Sequence, residues 1–328
     1  MKNILITGGC GFIGHHFVEH VLINTNWNIV IVDKLSYSSF GFKRIIDIGA
    51  LNNPRVKILT FDLSYPLSEG AEKELKKINY IVHMAAETHV DNSIKQPVDF
   101  VINNYNSTLY LLEFAKKLKR LETFFYFSTD EVYGPAYGKK LFKENEKHNP
   151  TNPYSASKSA AEQLCIAYNN TYKVPIIRIN VMNAFGERQH VEKFIPKTIN
   201  NILKDKTVLI HSYPNQKKSG TRFYIHARNI SQAVLFLIKK GKIGNSYNLT
   251  GEKELSNLQL AKIISKIVGK KLKYKMVNYH GSRPGHDLRY GLDGNKIKNV
   301  GWEMPVNFND SLKNTIKWTL NNKKWLKK

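Results

Sequence analysis

Six short apolar runs mark the first 180 residues: 3–7, 28–32, 55–60, 79–83, 123–127 and 174–180. Runs of this length, bounded by polar and turn-forming residues, read as strands buried on both faces. Between them lie stretches whose apolar residues recur every three to four positions. In 12–24, Phe12, Ile13, Phe17, Val21 and Leu22 fall on one side of a helix. Longer helical stretches span about 97–119 and 154–172. Strands alternating with helices predict an α/β fold, a doubly wound parallel sheet of the Rossmann kind formed by residues 1–186. From about residue 187 the pattern loosens. That predicts a smaller mixed α/β lobe, 187–328, partly interleaved with the end of the sheet.

The junctions between elements carry the candidate chemistry. Strand 3–7 runs into Gly9-Cys10-Gly11-Phe12-Ile13-Gly14, with Gly8 in front, and this segment opens the first helix. Glycines permit the tight turn and the close approach of backbone to a pyrophosphate, which then sits on the helix N-terminus. The second strand leads into Asp33, whose carboxylate would accept hydrogen bonds from ribose hydroxyls and repel a 2′-phosphate. The unit predicts NAD rather than NADP. After the fourth strand, Ala85 and Ala86 are small enough for a cofactor to lie close to the backbone, and His83 reads as a core or strand-end histidine.

The fifth strand ends in Ser128-Thr129-Asp130-Glu131-Val132-Tyr133-Gly134. In open α/β sheets the carboxyl edge is where ligands bind, so a hydroxyl and two adjacent carboxylates there are candidate acid/base groups. Taken alone, the segment also reads as a capped turn. Tyr154 and Lys158 sit four residues apart on the next helix and share a face. A lysine ammonium beside a phenol favours phenolate, which predicts a lowered pKa for Tyr154. In the lobe, Arg222 and Arg283 stand out because guanidinium binds phosphate bidentately, although each also reads as a surface ion pair.

The formal charge of +24 raises the question of nucleic acid. Only nine of the 50 basic residues are arginine, and the lysines are spread along the chain without a recognition helix, zinc finger or RNA-binding motif. A solvated lysine surface that steers anionic substrates is the expectation. No apolar run approaches the roughly 18 residues of a membrane span. The first strand runs straight into the glycine turn without a cleavage site, so a cytoplasmic protein is expected. Cys10 and Cys165 provide no disulfide framework, and no metal site is expected.

Together TGGCGFIG (7–14), DKLSYSS (33–39), HMAAETHVDNSI (83–94), STDEVYG (128–134), NPYSASKSAAE (152–162), EKFIP (192–196) and RPGHDLRY (283–290) resemble the extended short-chain dehydrogenase/reductase superfamily. Within it the chain is similar to nucleotide-sugar 4,6-dehydratases of the dTDP-glucose and UDP-glucose type. The resemblance implies a lyase that holds NAD through Gly8, Gly11, Phe12, Ile13, Gly14, Asp33, Lys34, Leu35, Ser36, Asp62, Leu63, Ala85, Ala86, Glu87, Asn103, Tyr154 and Lys158. It assigns catalysis to Thr129, Asp130, Glu131, Tyr154 and Lys158, with Tyr154 taking the C4 hydroxyl proton, Glu131 the C5 proton, and Asp130 protonating the departing 6-hydroxyl. It assigns substrate contacts to His89, Thr129, Asn183, Lys193, Arg222, Asn248, Arg283 and His286.

The implied reaction oxidises C4 of the sugar, removes water across C5–C6 and returns hydride to C6. Its product is a 4-keto-6-deoxy sugar nucleotide, a first step towards rhamnose or another deoxysugar. A homodimer packed through the helices containing 97–119 and 154–172 is also implied. Related 4-epimerases usually lack both carboxylates, and UDP-glucuronate decarboxylases keep the Glu but not the Asp. A non-catalytic NAD- or RNA-binding protein is the remaining alternative, suggested by the charge alone. The chain departs from the family pattern at Cys10, His15, Asn183-Ala184-Phe185-Gly186, Arg228-Asn229, Ser282 and the longer 212–220 segment, which leaves the nucleotide base open.

Overall fold

Successive residues of a strand face opposite sides, and in β1 (Asn3–Thr7) both sides are apolar. Ile4 and Ile6 join one buried cluster and Leu5 another. The first cluster includes Phe17, Val18 and Val21 of the helix Phe12–Asn24, with Ile230, Val234 and Leu237 of the helix Ala227–Lys240. The second includes Leu111 and Leu112 of the helix Ser107–Ala115, with Ala161 and Cys165 of the helix Pro153–Tyr172. Helices on both faces are what an all-parallel sheet requires.

This is a computed structural model, and residues 1–278 and 287–327 are described. After β1 come β2 (Asn28–Asp33), β3 (Val56–Thr60), β4 (Tyr80–His83), β5 (Thr123–Thr129), β6 (Ile176–Val181), β7 (Asn183–Phe185), β8 (Val208–Ser212), β9 (Thr221–His226), β10 (Ser246–Leu249), β11 (Glu254–Ser256) and β12 (Tyr274–Asn278). The main sheet runs β10-β6-β5-β4-β1-β2-β3, and every neighbouring pair is parallel. Strand order reverses between β1 and β4, so their carboxyl ends flank a crevice of the kind in which ligands bind.

The lobe interleaves with this sheet. Strand β7 follows directly on β6 yet pairs with β9, which also pairs antiparallel with β11. Strand β10 comes from the later half yet completes the main sheet. Strands β8 and β12 form a parallel pair over a separate cluster that includes Ile199, Ile202, Ile210, Leu260, Leu312 and Ile316.

The stretch expected as one helix over 97–119 is divided. A helix at Pro97–Val101 passes through a wider π turn at Ile102–Asn106 into the helix Ser107–Ala115. The buried Asn104 sits in that turn, accepting from Glu87 N (2.8 Å) and donating to Glu87 O (3.1 Å) and Ser157 Oγ (2.9 Å). Turns of this kind concentrate at functional sites, and this one ties the loop after β4 to the helix that carries Tyr154. Both cysteines are buried and unpaired. Among the described residues, no helix is long and apolar enough to cross a membrane, and no cluster suited to a metal ion occurs.

Candidate active site

The glycine turn is packed too closely for side chains. Gly8 has φ +70°, and a Cβ there would lie 2.9 Å from Ala85 Cα; a Cβ on Gly14 would lie 2.1 Å from the Gly8 carbonyl oxygen. The helix Phe12–Asn24 therefore starts against backbone, with Gly11 as an N-cap that offers no side chain. Its first N–H groups face the crevice as an anion-binding end. At the tip of β2, Asp33 is buried, with Oδ2 accepting from Cys10 N (3.0 Å) and Oδ1 from Leu35 N (2.8 Å). Burial pushes its pKa up, and these two bonds oppose that. Lys34 donates to Asn103 Oδ1 (2.7 Å) and pairs with Glu87 (3.2 Å), closing the far wall.

A cavity of about 330 Å³ runs from this turn to the end of β5, where Thr129, Asp130, Glu131, Tyr154 and Lys158 line it together. Strand β5 extends two residues beyond the apolar run, which makes Thr129 its last residue. A 3₁₀ turn, Asp130–Tyr133, follows, and Thr129 Oγ1 caps it by accepting from Glu131 N (3.4 Å). The sharp turn brings two adjacent carboxyls to one cavity wall.

Their surroundings differ. Asp130 accepts from Thr129 Oγ1 at Oδ1 (3.0 Å), while its buried Oδ2 has no hydrogen-bond partner among the described residues. Burial, and then the charge of Glu131, push its pKa up to about 7. Glu131 is also pushed up by burial, but its Oε2 accepts from Asn152 Nδ2 (3.1 Å) and Tyr290 Oη (3.2 Å), which favour the ionised form. Two carboxyls whose environments separate them supply an acid and a base at neutral pH.

The phenol of Tyr154 hydrogen-bonds Thr129 beside this pair. Its pKa is not lowered as the Tyr-Lys spacing predicts. Burial, then Glu131 and Asp130, hold it above the usual tyrosine range. The reason is where the ammonium goes: Lys158 Nζ lies over the ring of Tyr126, 4.3 Å from its centroid, and burial lowers its own pKa to about 8. His83 is a core histidine, bonded to Thr7 Oγ1 (2.7 Å) and Thr108 Oγ1 (3.1 Å) and held neutral by burial.

A second cavity, of about 200 Å³, adjoins the first through Asn183, Ala184, Gln189 and Lys193. Arg222, Asn257 and Asp287 line its far side. The Arg222 guanidinium donates to Leu288 O (2.6 Å) and Asp287 O (2.5 Å), which orients it next to the carboxyl pair. Two joined cavities, one beginning at a backbone anion cradle and one walled by Arg222 and Lys193, suit two elongated anionic ligands that meet near Asn183, Ala184, Gln189 and Lys193.

Residues 5–315 match the model of the GDP-mannose 4,6 dehydratase family. The chain belongs to the nucleotide-sugar 4,6-dehydratases. It is 35% identical to the dTDP-D-glucose 4,6-dehydratase of Dictyostelium discoideum, over 99% of this chain and 83% of that protein. It is also 35% identical to a trifunctional UDP-glucose 4,6-dehydratase/epimerase/reductase of Arabidopsis thaliana, RHM2, of which it spans 48%. Among solved structures, DesIV, the dTDP-glucose 4,6-dehydratase of Streptomyces venezuelae with NAD and TYD bound, superposes with a TM-score of 0.89 at 30% identity, covering 99% of this chain and 98% of that one.

For a 4,6-dehydratase, most of the residues singled out from sequence line the expected cavity. The exceptions have local causes. Leu35 adopts φ +55°, and its side chain packs against the hydrophobic core, so Ser36 faces the cofactor cavity in its place. His89 caps the helix Val90–Lys95 and lies 3.8 Å from Glu192; it is Glu192 that lines the cavity. Asn248 is fully buried in β10, outside both cavities, and donates to the carbonyls of Phe142 (3.0 Å) and Asp293 (3.1 Å), a structural tie at the sheet edge. Asn257, nine residues on, is the asparagine beside Arg222. Arg283 and His286 lie outside the described residues.

Four residues at the site receive no role from the sequence, although Asn152 and Tyr290 fall within the 152–162 and 283–290 motifs. Asn152 and Tyr290 reach Glu131 only in three dimensions, and Asn257 reads in sequence as the first residue of a capped helix. Arg44 is fully buried at the cofactor end, where it donates to Ser38 O (2.7 Å) and Arg188 O (3.0 Å); a charged residue in a short surface-like helix gives no hint of this.

Proposed function

We propose that this protein converts dTDP-glucose or UDP-glucose into the corresponding 4-keto-6-deoxy sugar nucleotide, with NAD as its resident cofactor. The observation that carries this reading is the buried Asp130–Glu131 pair, set apart in hydrogen bonding and sharing one cavity with Tyr154 and the glycine cradle. A dehydration needs a proton donor and a proton acceptor at neighbouring carbons; an oxidation or epimerisation does not.

The cradle fits NAD. Gly8 and Gly14 leave room only for backbone, the uncapped helix end suits a pyrophosphate, and the buried Asp33 carboxylate suits ribose hydroxyls over a 2′-phosphate. When bound, NAD supplies the hydride acceptor for C4 and the donor for C6. The remaining work falls to side chains. Tyr154 takes the proton of the C4 hydroxyl as its phenolate, a form that the positive charge of Lys158, one helical turn away, would favour against burial, with Thr129 bonded to the phenolic oxygen. The C4 ketone acidifies the C5 hydrogen, which Glu131 removes. Asp130 gives its proton to the departing 6-hydroxyl, and water leaves. Glu131 then returns a proton to C5. The proton gained at Tyr154 balances the one lost from Asp130, so the cycle closes without a net proton. Arg222 and Lys193 hold the diphosphate.

Incubating the protein with each nucleotide sugar and developing the 4-keto chromophore in alkali tests the assignment. Product is expected from at least one of the two, and no chromophore from either sinks it.

The proposed assembly is a homodimer. Val98, Val101 and Ile102 recur at helical spacing and are 65%, 46% and 47% exposed, an apolar stripe beside the helix Pro153–Tyr172 that a second copy would cover. Light scattering is expected to return twice the chain mass, and Val101→Glu to shift it towards the monomer. A monomeric wild type removes this proposal.

A further inference from the structure

Among the described residues, side-chain donors hold Glu131 at one oxygen. Its Oε2 accepts two hydrogen bonds, from Asn152 and from Tyr290, and the two donors come from different parts of the fold. Asn152 is the N-cap of the helix Pro153–Tyr172, with its Oδ1 accepting from Ser155 N (2.9 Å). Tyr290 comes from the lobe, 159 residues beyond Glu131 in the chain.

Tyr290 is itself fixed on every side. Its ring is buried among Val132, Tyr133, Met182 and Leu292. Its phenol oxygen accepts from Asp287 N (3.4 Å) and donates to Glu131. The Arg222 guanidinium lies over the ring, 4.7 Å from its centroid, while donating to the Leu288 and Asp287 carbonyls. The segment 287–290, the arginine placed at the diphosphate and the base are thus one connected unit.

We propose that Tyr290 is a positioning residue for proton transfer at C5, which with Asn152 clamps Oε2 of Glu131 so that Oε1 is the oxygen that takes the proton. This rests on the dehydratase reading above and goes beyond it by naming what orients the base. Two donors on one carboxylate oxygen fix the rotation of the group and leave the lone pairs of the other oxygen for the substrate. They also stabilise the ionised form against burial, and burial keeps the Tyr290 phenol protonated, hence a donor. Asp130, one residue away, has among the described residues a single side-chain donor, its neighbour Thr129, and a second oxygen without a partner. The clamp therefore decides which of two adjacent carboxyls is the base and which the acid. It also links that choice to Arg222, so that seating of the diphosphate and alignment of the base are mechanically joined.

Tyr290→Phe removes the donor and keeps the ring. In the holoenzyme, with whichever nucleotide sugar the wild type turns over, kcat is expected to fall about 10- to 30-fold with KM within about twofold. The acidic limb of the kcat–pH profile is expected to move up by about one unit, since the base loses a bond favouring its ionised form. Reduced nicotinamide forms in a single turnover at the wild-type rate, while deuterium uptake at C5 from heavy water slows with kcat. Asn152→Ser keeps an N-cap hydroxyl and removes the other donor, so it reports on the same oxygen independently and is expected to shift the same limb. An unchanged acidic limb and wild-type C5 exchange in Tyr290→Phe overturn the proposal, as does an unchanged limb in Asn152→Ser where Tyr290→Phe folds poorly. Either result leaves the dehydratase reading standing, because that is judged by product formation in the wild type.

Discussion

Replacing Asp130 by asparagine is expected to lower formation of the 4-keto-6-deoxy product by about 10²–10⁴-fold, the usual worth of a positioned general acid, while stabilising the folded protein at alkaline pH. Both effects follow from one carboxyl. In the folded chain, burial and the neighbouring Glu131 charge raise Asp130 to about 7, whereas an unfolded aspartate titrates near ~3.9. A raised folded pKa means stability that is fully present below about 4 and is lost as pH rises through about 7. Above neutrality the ionised Asp130 therefore costs up to about 4 kcal/mol. Asparagine has no such charge. Urea unfolding of wild type and variant should coincide near pH 4 and diverge between pH 4 and 7 in favour of the variant. Parallel curves at both ends of that range would contradict the buried-acid assignment, and retained product formation would contradict the dehydration step.

Tyr154→Phe is expected to be as damaging at a different point. In the proposed mechanism the Tyr154 phenolate accepts the C4 hydroxyl proton, and the side chain lines the same cavity as the carboxyls. Its loss should reduce turnover by about 10³-fold with no reduced nicotinamide formed in a single turnover. Asp130→Asn, by contrast, should form it and then stall. The absorbance of reduced nicotinamide after rapid mixing with substrate separates the two variants. Equal signals from both would mean that the oxidation and dehydration steps are not divided between these residues as described.

The energetic cost of Asp130 bears on the proposed mechanism. An ionisable group in a buried turn destabilises the fold, which supports a role in proton transfer over a structural one. Surface ion pairs between lysines and carboxylates, such as Lys57 with Glu74 and Lys117 with Glu72, carry little stability by comparison.

Much of the site was legible because it depends on neighbours in sequence. The glycine spacing and the short apolar runs each act over a few residues, and the structure places the helix at Phe12–Asn24 as the pattern predicts. The Thr129-Asp130-Glu131 triplet was visible for the same reason: it closely follows the apolar run 123–127, which the structure buries in β5. The misplacements came from longer reach. The resemblance places Leu35 on the cofactor wall, but a left-handed backbone turns its side chain towards the core. Asn248 was taken for a substrate contact, but the edge strand needs both its N–H groups for the loops beside it.

Lys158 shows the limit most clearly. Helical spacing places it on the face of Tyr154, yet where its ammonium points depends on the strand packed beneath that helix. Tyr126 of β5 provides an aromatic face there, and the phenol of Tyr154 is left to the two carboxyls. By itself, the sequence determined the sheet, the cofactor cradle and which acid/base groups stand at its edge, since periodicity and turn chemistry are properties of contiguous residues. The family resemblance already implied Asp130 as the acid and Glu131 as the base; only the tertiary structure shows what sets the two carboxyls apart. That difference arises from burial and from donors at Asn152 and Tyr290, groups brought together when the lobe closes against the end of β5.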